Sequence, residues 1–295
     1  MTSLTIFSPS GVVARPPQLR LAARRLSALG FSVQVDEAAT ARHQRFAGPD
    51  EVRLAAIHRV AEEAPSVAMA SRGGYGLSRL LDGLNWPLLA RSVERGTRWV
   101  GYSDFTALHL GLLAHAKSAS WAGPTALDAF GGEAVDDVTE GCFTEAMSGE
   151  LEALGFRTEA GLDGLEVRGT LWGGNLTMVC SLLGTRHWPK VKGGVLFLED
   201  VNEHPYRLER NLLQLQQAGV LDAQRAVLLG GFTAWKPSPL DRGYKLASAV
   251  TTIRNCTRVP VLTGLPFGHV ATQVCLPVGR RVTLAVQGRD AFVGW

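Results

Sequence analysis

The sequence predicts an α/β protein of two domains. With 295 residues, the chain is longer than the size at which one hydrophobic core usually stops growing. Short apolar runs alternate with segments of helical periodicity, which is typical of parallel sheets covered by helices. An acidic, weakly periodic stretch at residues 131–164 interrupts this alternation. We therefore predict an N-terminal α/β domain at residues 1–140, a linker at 141–164 and a C-terminal domain at 165–295.

The first half of the chain contains five apolar runs that we predict to be strands. They are residues 4–7, 31–35, 66–70, 99–102 and 119–122. Between them lie helical stretches, the clearest at residues 17–29 and 49–63, where apolar residues recur every three or four positions. Strands that are separated by helices favour parallel pairing.

The second half predicts another α/β domain with more strand at its end. The predicted strands are residues 166–171, 194–198, 226–229 and 259–262, followed by a β-rich tail at 270–293. The predicted helices are residues 175–183, 205–217 and 243–251.

The composition indicates a globular protein of a reducing compartment. Apolar residues make up 46% and charged residues 19% of the chain. The four cysteines are far apart and form no CxxC pair, unlike the framework of a small secreted protein. Residues 1–10 lack the basic and apolar regions of a signal peptide, so we expect a cytoplasmic location.

The sequence argues against three classes of partner. The net charge is only +3 and the basic residues are interleaved with acidic ones, so nucleic acid is not expected. No apolar run approaches the roughly 18 residues needed to span a bilayer, so no membrane is expected. The chain has no HExxH motif and no Asp-rich loop, so neither a metal nor another cofactor is predicted.

The motif GYSDF at residues 101–105 lies between a predicted strand and a predicted helix. A serine on such a turn projects its hydroxyl above the sheet, and the helix N-terminus offers amide donors for an oxyanion. Ser103 is therefore a candidate nucleophile. Taken alone, the pentapeptide favours a plainer role for Ser103 as a helix N-cap.

A glycine-rich turn, RGGYG at residues 72–76, follows another predicted strand. Glycines at a strand–helix junction let a backbone amide approach a ligand oxygen closely, so the turn is a candidate oxyanion donor or phosphate cradle. A dinucleotide fingerprint would need a third glycine where the chain has Arg79. An ordinary tight turn is the remaining alternative.

The predicted strand at residues 194–198 is followed by two carboxylates, Glu199 and Asp200. A carboxylate at a strand end can accept a hydrogen bond from an imidazole and fix its tautomer. Because successive side chains of a strand point to opposite faces, only one of the two is expected to face the site, and Glu199 is better placed. We expect Asp200 and Glu203 to be solvated, or to interact with the dipole of the helix that begins near Pro205.

His269 ends the motif TGLPFGH at residues 263–269, in a loop after a predicted strand. Histidine is the usual general base, and the neighbouring Gly and Pro hold it on a defined backbone. A lone histidine in a loop is more commonly a surface residue, and the sequence alone leaves both roles open.

Together these segments resemble the LD-carboxypeptidase family, in the family's order over nearly the whole chain. The matching motifs are RGGYG (72–76), GYSDFT (101–106), LWGGNL (171–176), LEDVNEHP (198–205) and GLPFGH (264–269). The resemblance implies a Ser-Glu-His triad of Ser103, Glu199 and His269, in a cleft between the two domains. It also implies a flavodoxin-like or class I glutamine amidotransferase-like N-terminal domain and a C-terminal swivelling β/α barrel.

The resemblance further implies a cytoplasmic serine carboxypeptidase, often a homodimer, that needs no cofactor. Its members cut murein tetrapeptides between diaminopimelate and the terminal D-alanine in cell-wall recycling. In the expected mechanism, the amides of Asp104 and Gly74 bind the oxyanion. Arg72 is expected to bind a substrate carboxylate, or alternatively to form an ion pair between domains.

Three alternatives are weighed against this function. A related branch of the family hydrolyses peptidyl-nucleotide antibiotics of the microcin type, but the aromatic loop expected for it has no counterpart in residues 131–164. An α/β-hydrolase esterase would need GxSxG, and Phe105 stands in place of the last glycine. A non-catalytic muropeptide-binding protein would have no reason to keep all three triad groups.

Overall fold

The structure is a computed structural model that describes all residues from Met1 to Trp295. It divides into two compact units. Unit 1 comprises Met1–Leu151, Arg186–Pro189 and Val274–Val278, and unit 2 comprises Glu152–Thr185, Lys190–Gln273 and Gly279–Trp295. The predicted domain limits at residues 140 and 165 stay a prediction.

Strands and helices alternate through most of the chain. The strands are β1 (Thr2–Phe7), β2 (Phe31–Val35), β3 (Val67–Ala70), β4 (Arg98–Gly101), β5 (Ser120–Ala122), β6 (Ala153–Arg157), β7 (Glu166–Asn175), β8 (Val195–Val201), β9 (Ala226–Thr233), β10 (Val261–Thr263), β11 (Leu276–Val278), β12 (Arg281–Gln287) and β13 (Asp290–Gly294). The α-helices are α1 (Pro16–Ala28), α2 (Asp50–Glu63), α3 (Trp86–Glu94), α4 (Thr106–Ala116), α5 (Ala126–Phe130), α6 (Asp137–Ser148), α7 (Leu176–Leu182), α8 (Pro205–Gln217) and α9 (Leu246–Cys256).

Unit 1 contains a six-stranded sheet in the order β2-β1-β3-β4-β5-β11. The first five strands pair in parallel, and β11 pairs with β5 in the antiparallel sense. Every residue of β3 is buried, as expected for a parallel strand covered on both faces. The turns that follow β3 and β4 lie at the same edge of the sheet, because carboxyl ends of parallel strands share one edge. This edge carries both the glycine turn and Ser103.

Unit 2 contains a seven-stranded sheet in the order β10-β9-β8-β7-β12-β13-β6. Strands β7 to β10 pair in parallel, and β12, β13 and β6 continue the sheet in the antiparallel sense. The two edges of this sheet meet. Thr263 at the end of β10 hydrogen-bonds Glu159, two residues after β6. Gly264 lies so close to the carbonyl of Arg157 that no Cβ would fit.

The structure differs from the predicted elements in two places: one strand is longer, and a stretch without predicted elements contains a helix and a strand. Strand β7 was expected to end at residue 171 and continues to Asn175, because Gly173 lies directly against the carbonyl of Phe197 on β8. The weakly periodic stretch at residues 131–164 contains α6 and β6. Helix α6 begins at a capping residue, Asp136, whose carboxylate accepts the amide of Thr139 at 2.8 Å. Local capping therefore makes up for the weak periodicity.

No helix in the structure is both long and apolar enough to cross a membrane.

Candidate active site

Ser103 follows β4 and begins a 3₁₀ turn, Ser103–Phe105, that leads into α4. Its φ angle is 63°, in the left-handed region. For an L-residue this conformation costs roughly 1–2 kcal/mol, and it persists only where the surrounding structure enforces it. Neither the 3₁₀ turn nor α4 is capped by a side chain, so Ser103 does not have the N-cap role that the pentapeptide alone favours.

The glycine turn packs directly against Ser103. A Cβ at Gly73 would lie 2.7 Å from the Cβ of Ser103 and 2.8 Å from its Oγ, so only glycine fits there. The carbonyl of Gly73 accepts the amide of Gly11 at 3.2 Å, and Gly74 has a φ of 114°. The chain just after β1 therefore holds the turn against the serine.

Arg72 and Asp104 flank these two turns. Nη1 of Arg72 donates to the carbonyl of Val12 at 3.1 Å. The side chain of Asp104 is 1% exposed, and its Oδ2 accepts the amide of Leu77 at 2.9 Å. The residue after Ser103 is thus hydrogen-bonded to the residue that follows the glycine turn.

Glu199 and His269 form a hydrogen-bonded pair in unit 2. Oε2 of Glu199 lies 2.8 Å from Nδ1 of His269, and the Glu199 side chain is fully buried. A carboxylate accepts only, so Nδ1 carries the proton and Nε2 is the basic nitrogen of the neutral ring. This is the tautomer that a general base needs.

The loop that carries His269 crosses β9 at two glycines. The amide of Gly231 donates to the carbonyl of Phe267 at 2.8 Å, and a Cβ at Gly230 would approach that carbonyl to 2.4 Å. Gly268 has a φ of 122°, and a Cβ there would lie 2.8 Å from the Cβ of Glu199. Close backbone contact therefore places the histidine beside the buried acid.

Asn175 bridges the two acids at the end of β8. Its Nδ2 donates to Oε1 of Glu199 at 3.1 Å and to Oδ1 of Asp200 at 2.9 Å. Its Oδ1 caps α7 by accepting the amide of Met178 at 3.1 Å. The sequence indicated this residue only as part of the LWGGNL motif, and no role was predicted for it. The sequence feature that could have indicated this role is an asparagine that follows two glycines and directly precedes a helix.

The expectation that Asp200 is solvated is wrong. Its side chain is 3% exposed, and Oδ2 accepts both the amide and the hydroxyl of Thr177 at 2.9 and 2.7 Å. The pairing of β8 with β9 shifts register between Leu198 and Asp200. Such an irregularity breaks the simple alternation of faces, so that both acids reach one amide group.

Comparison with known proteins identifies the family. Residues 4–123 match the model of the LD-carboxypeptidase N-terminal domain, and residues 168–284 match that of the C-terminal domain. The crystal structure of muramoyltetrapeptide carboxypeptidase from Oxalobacter formigenes is 37% identical, covers 99% of this chain and 98% of that chain, and superposes with a TM-score of 0.91. The chain belongs to the LD-carboxypeptidase family. The prediction made from the five motifs is confirmed.

A curated relative agrees with this assignment, and a further solved structure shares the fold. The murein tetrapeptide carboxypeptidase of Pseudomonas aeruginosa is 30% identical, over 95% of this chain and 92% of that protein. The microcin C7 self-immunity protein MccF, in complex with aspartyl sulfamoyl adenosine, superposes with a TM-score of 0.87. It covers 100% of this chain and 96% of that chain at 20% identity, which shows a shared fold alone.

This LD-carboxypeptidase family member gathers its candidate residues within each unit. Unit 1 brings together Ser103, Asp104 and the glycine turn, and unit 2 brings together Glu199, His269 and Asn175. No group of three or more His, Cys, Asp or Glu side chains is arranged to hold a metal ion.

Proposed function

We propose that this protein is a serine LD-carboxypeptidase that hydrolyses the bond between diaminopimelate and the terminal D-alanine of murein tetrapeptides, in cell-wall recycling. The observation that carries the proposal is the fully buried Glu199, hydrogen-bonded to Nδ1 of His269. The similarity to the Oxalobacter and Pseudomonas proteins, whose names specify this substrate class, supports the choice of substrate.

The proposed reaction begins with Ser103 as nucleophile. Nε2 of His269 takes the proton from the Ser103 hydroxyl, and the alkoxide attacks the carbonyl carbon of the scissile amide. His269 then gives this proton to the leaving amine, and D-alanine departs from an acyl-enzyme. Water, activated by His269, hydrolyses the ester. Throughout, Glu199 keeps the imidazole in one tautomer and stabilises the imidazolium.

We assign the oxyanion donors to the backbone amides of Asp104 and Gly74. Support comes from the contact of Gly73, the neighbour of Gly74, with the side chain of Ser103, the neighbour of Asp104. One such donor is worth roughly 3 kcal/mol of transition-state stabilisation. Arg72 is proposed to bind a substrate carboxylate through the guanidinium atoms that its bond to Val12 leaves available.

We also propose that unit 1 is flavodoxin-like and that unit 2 is a swivelling β/α barrel. The strand order β2-β1-β3-β4-β5 of unit 1 supports a flavodoxin-like domain. The meeting of the two sheet edges at Thr263 and Glu159 supports a barrel-like unit 2. Four free cysteines suit a cytoplasmic protein, and a homodimer is the proposed assembly, to be tested by sedimentation.

Ser103→Ala tests the nucleophile. We expect turnover of a murein tetrapeptide to be abolished while the melting temperature stays unchanged, because loss of a partly exposed hydroxyl costs little packing. A fluorophosphonate should modify the wild-type protein at Ser103 alone, as mapped by mass spectrometry. Ser148→Ala, at an exposed serine in the last turn of α6, is the control and should keep full activity. Near-normal turnover by Ser103→Ala would exclude this nucleophile.

A substrate panel tests the specificity. The purified protein is offered an anhydromuropeptide digest and a peptidyl-nucleotide of the microcin type, and products are identified by mass spectrometry. Release of D-alanine from tetrapeptides is the expected outcome. Cleavage of the peptidyl-nucleotide alone would indicate a self-immunity hydrolase. A protein that binds the muropeptides, releases no product and is not labelled at Ser103 by the fluorophosphonate would be a muropeptide-binding protein.

A further inference from the structure

Helix α2 carries a fully buried arginine, Arg53, which belongs to no predicted site. Its side chain is 0% exposed, Nη1 donates to the carbonyl of Pro9 at 2.8 Å, and Nη2 pairs with Asp50. The guanidinium carbon lies 4.9 Å from the centre of the Phe46 ring. A charge held in the interior is costly unless its partners compensate for lost hydration. Arg53 therefore needs partners deep in unit 1.

Asp104 is a second buried charge in the same region. Burial raises the pKa of its carboxyl, and this effect is opposed by the Ser10 hydroxyl, by the amides of Leu77 and Gly76, and by the charge of Arg53. Each opposing group stabilises the ionised form. The carboxylate is therefore hydrogen-bonded to the residue that follows the glycine turn and lies within electrostatic range of the Arg53 guanidinium.

The glycine turn is held between Arg53 and Ser103. At one end, a Cβ at Gly76 would lie 2.5 Å from Nη1 of Arg53. At the other end, a Cβ at Gly73 would lie 2.7 Å from the Cβ of Ser103. Asp104 closes the arrangement, because it follows Ser103 in the chain and hydrogen-bonds the amide of Leu77 at 2.9 Å.

We propose that Asp104, through its side chain, and Arg53 are positioning residues for the carboxypeptidase reaction. Together they hold Ser103 in its left-handed conformation and keep the glycine turn, with its proposed oxyanion donor, at a fixed distance from the nucleophile. This inference rests on the proposed function. It assigns to the Asp104 carboxylate a role separate from that of the Asp104 amide.

Charge, and not shape alone, is needed for this role. Oδ2 of Asp104 accepts the amide of Leu77 at 2.9 Å, whereas Oδ1 is buried without a hydrogen-bond donor, so the attraction between the carboxylate and Arg53 is the second interaction that ties Asp104 to the turn. Asparagine has the same shape but is neutral, so it loses this attraction, and only one of its two terminal atoms can accept the Leu77 amide. Asp104→Asn therefore loosens the turn while leaving the volume of the core unchanged.

The test compares Asp104→Asn and Arg53→Met with a matched pair, Asp36→Asn and Arg59→Met. Arg59 lies on the same helix and pairs with the buried Asp36 at 2.8 Å, away from the glycine turn. For each variant, kcat and KM on a murein tetrapeptide, the rate of fluorophosphonate labelling of Ser103 and the melting temperature are measured. We expect kcat and the labelling rate of the first pair to fall by about 10²-fold, the effect of a small misplacement of a reacting group, with KM changing less than about threefold.

The control pair separates positioning from general stability. Asp36→Asn and Arg59→Met should lower the melting temperature and leave kcat and the labelling rate at the wild-type level. Arg53→Lys, which keeps the charge, should retain more activity than Arg53→Met. If Arg53→Met or Asp104→Asn fails to fold, the kcat and labelling rate of Arg53→Lys test the positioning role instead. Full kcat and labelling in Asp104→Asn, or losses in the control pair that match those of the first pair, would overturn the positioning role.

Ser103→Ala belongs in the same series because it reports on the proposed function itself. If Ser103→Ala keeps turnover, the proposed function fails whatever the other variants do. If it is inactive while Asp104→Asn and Arg53→Met keep full kcat, only the positioning role fails.

Discussion

Nδ1 of His269 lies 2.8 Å from Oε2 of Glu199, and the two side chains differ sharply in exposure. Glu199 is 0% exposed, whereas 23% of the His269 side chain is exposed. The acid is therefore held inside unit 2, and the imidazole that it orients extends toward the surface of that unit. This division of roles suits an orienting carboxylate and a base that exchanges protons with a substrate.

Glu199→Gln should abolish most of the activity. The glutamine keeps the size of the side chain, but its NH2 group favours the wrong tautomer of His269, so kcat should fall by roughly 10³ to 10⁴. The loss should appear in kcat more than in KM, because the imidazolium forms only near the transition state. Steady-state kinetics on a murein tetrapeptide measures both constants. A nearly normal kcat would show that Glu199 is not the orienting acid.

Asp200→Asn should lower stability instead of kcat. Asp200 accepts the Thr177 amide and hydroxyl at the start of α7, so the exchange weakens hydrogen bonds to a buried charge, each worth roughly 1.5–3 kcal/mol. Urea unfolding should show this loss, with kcat within about tenfold of wild type. If Asp200→Asn lost kcat as severely as Glu199→Gln is expected to, the acid would have to be reassigned by one residue.

Gly73→Ala should inactivate the protein without unfolding it. The added methyl group would lie 2.7 Å from the Cβ of Ser103, so the nucleophile or the turn must move, and kcat should fall by about 10²-fold or more. Gly132→Ala is the control, because a Cβ there meets no atom closer than 3.7 Å. Circular dichroism checks folding. Equal activity in both variants would contradict the close contact of the turn with Ser103.

His109 should make stability depend on pH. It lies between the carbonyl of Gly101 and the hydroxyl of Ser120, each at 2.8 Å, and burial lowers its pKa from 6.5 to about 4. Between these values the unfolded chain binds a proton that the folded chain does not. The free energy of unfolding is therefore highest above pH 6.5, where His109 is neutral in both states. It decreases by about 3 kcal/mol in total as the pH falls toward 4.

Urea unfolding between pH 4 and pH 7 measures this dependence in the wild-type protein and in His109→Gln. The variant should show a smaller decrease in the free energy of unfolding on acidification, since the other titrating groups are common to both proteins. Identical pH slopes would show that His109 does not remain neutral in the folded state.

Activity should survive strong chelation. The proposed triad supplies a nucleophile, a base and an orienting acid without a metal. Turnover of a murein tetrapeptide is measured after dialysis against EDTA, with a zinc metalloprotease treated in parallel to show that chelation works. Loss of activity that added zinc restores would contradict the metal-free mechanism.

Much of the fold could be predicted from local sequence. Strand β2 and helix α8 were predicted with the limits that the structure shows, because apolar periodicity and the proline at the start of α8 determine them locally. The five motifs identified the family, because a reaction at the carboxyl ends of parallel strands needs particular residue types in the turns that follow those strands. Local sequence made Ser103, Glu199 and His269 candidates, and the resemblance to the family assigned them to one triad.

Only the tertiary structure decided the surroundings of these residues. The burial of Asp200 depends on a register irregularity between β8 and β9, and the bridging role of Asn175 depends on the juxtaposition of β7 and β8. Arg53 is separated from Asp104 by 51 positions of sequence, and folding brings its charge to that carboxyl. Local sequence determines which backbone conformation a segment prefers, whereas burial and hydrogen-bond partners depend on segments far apart in the chain, which no short motif encodes.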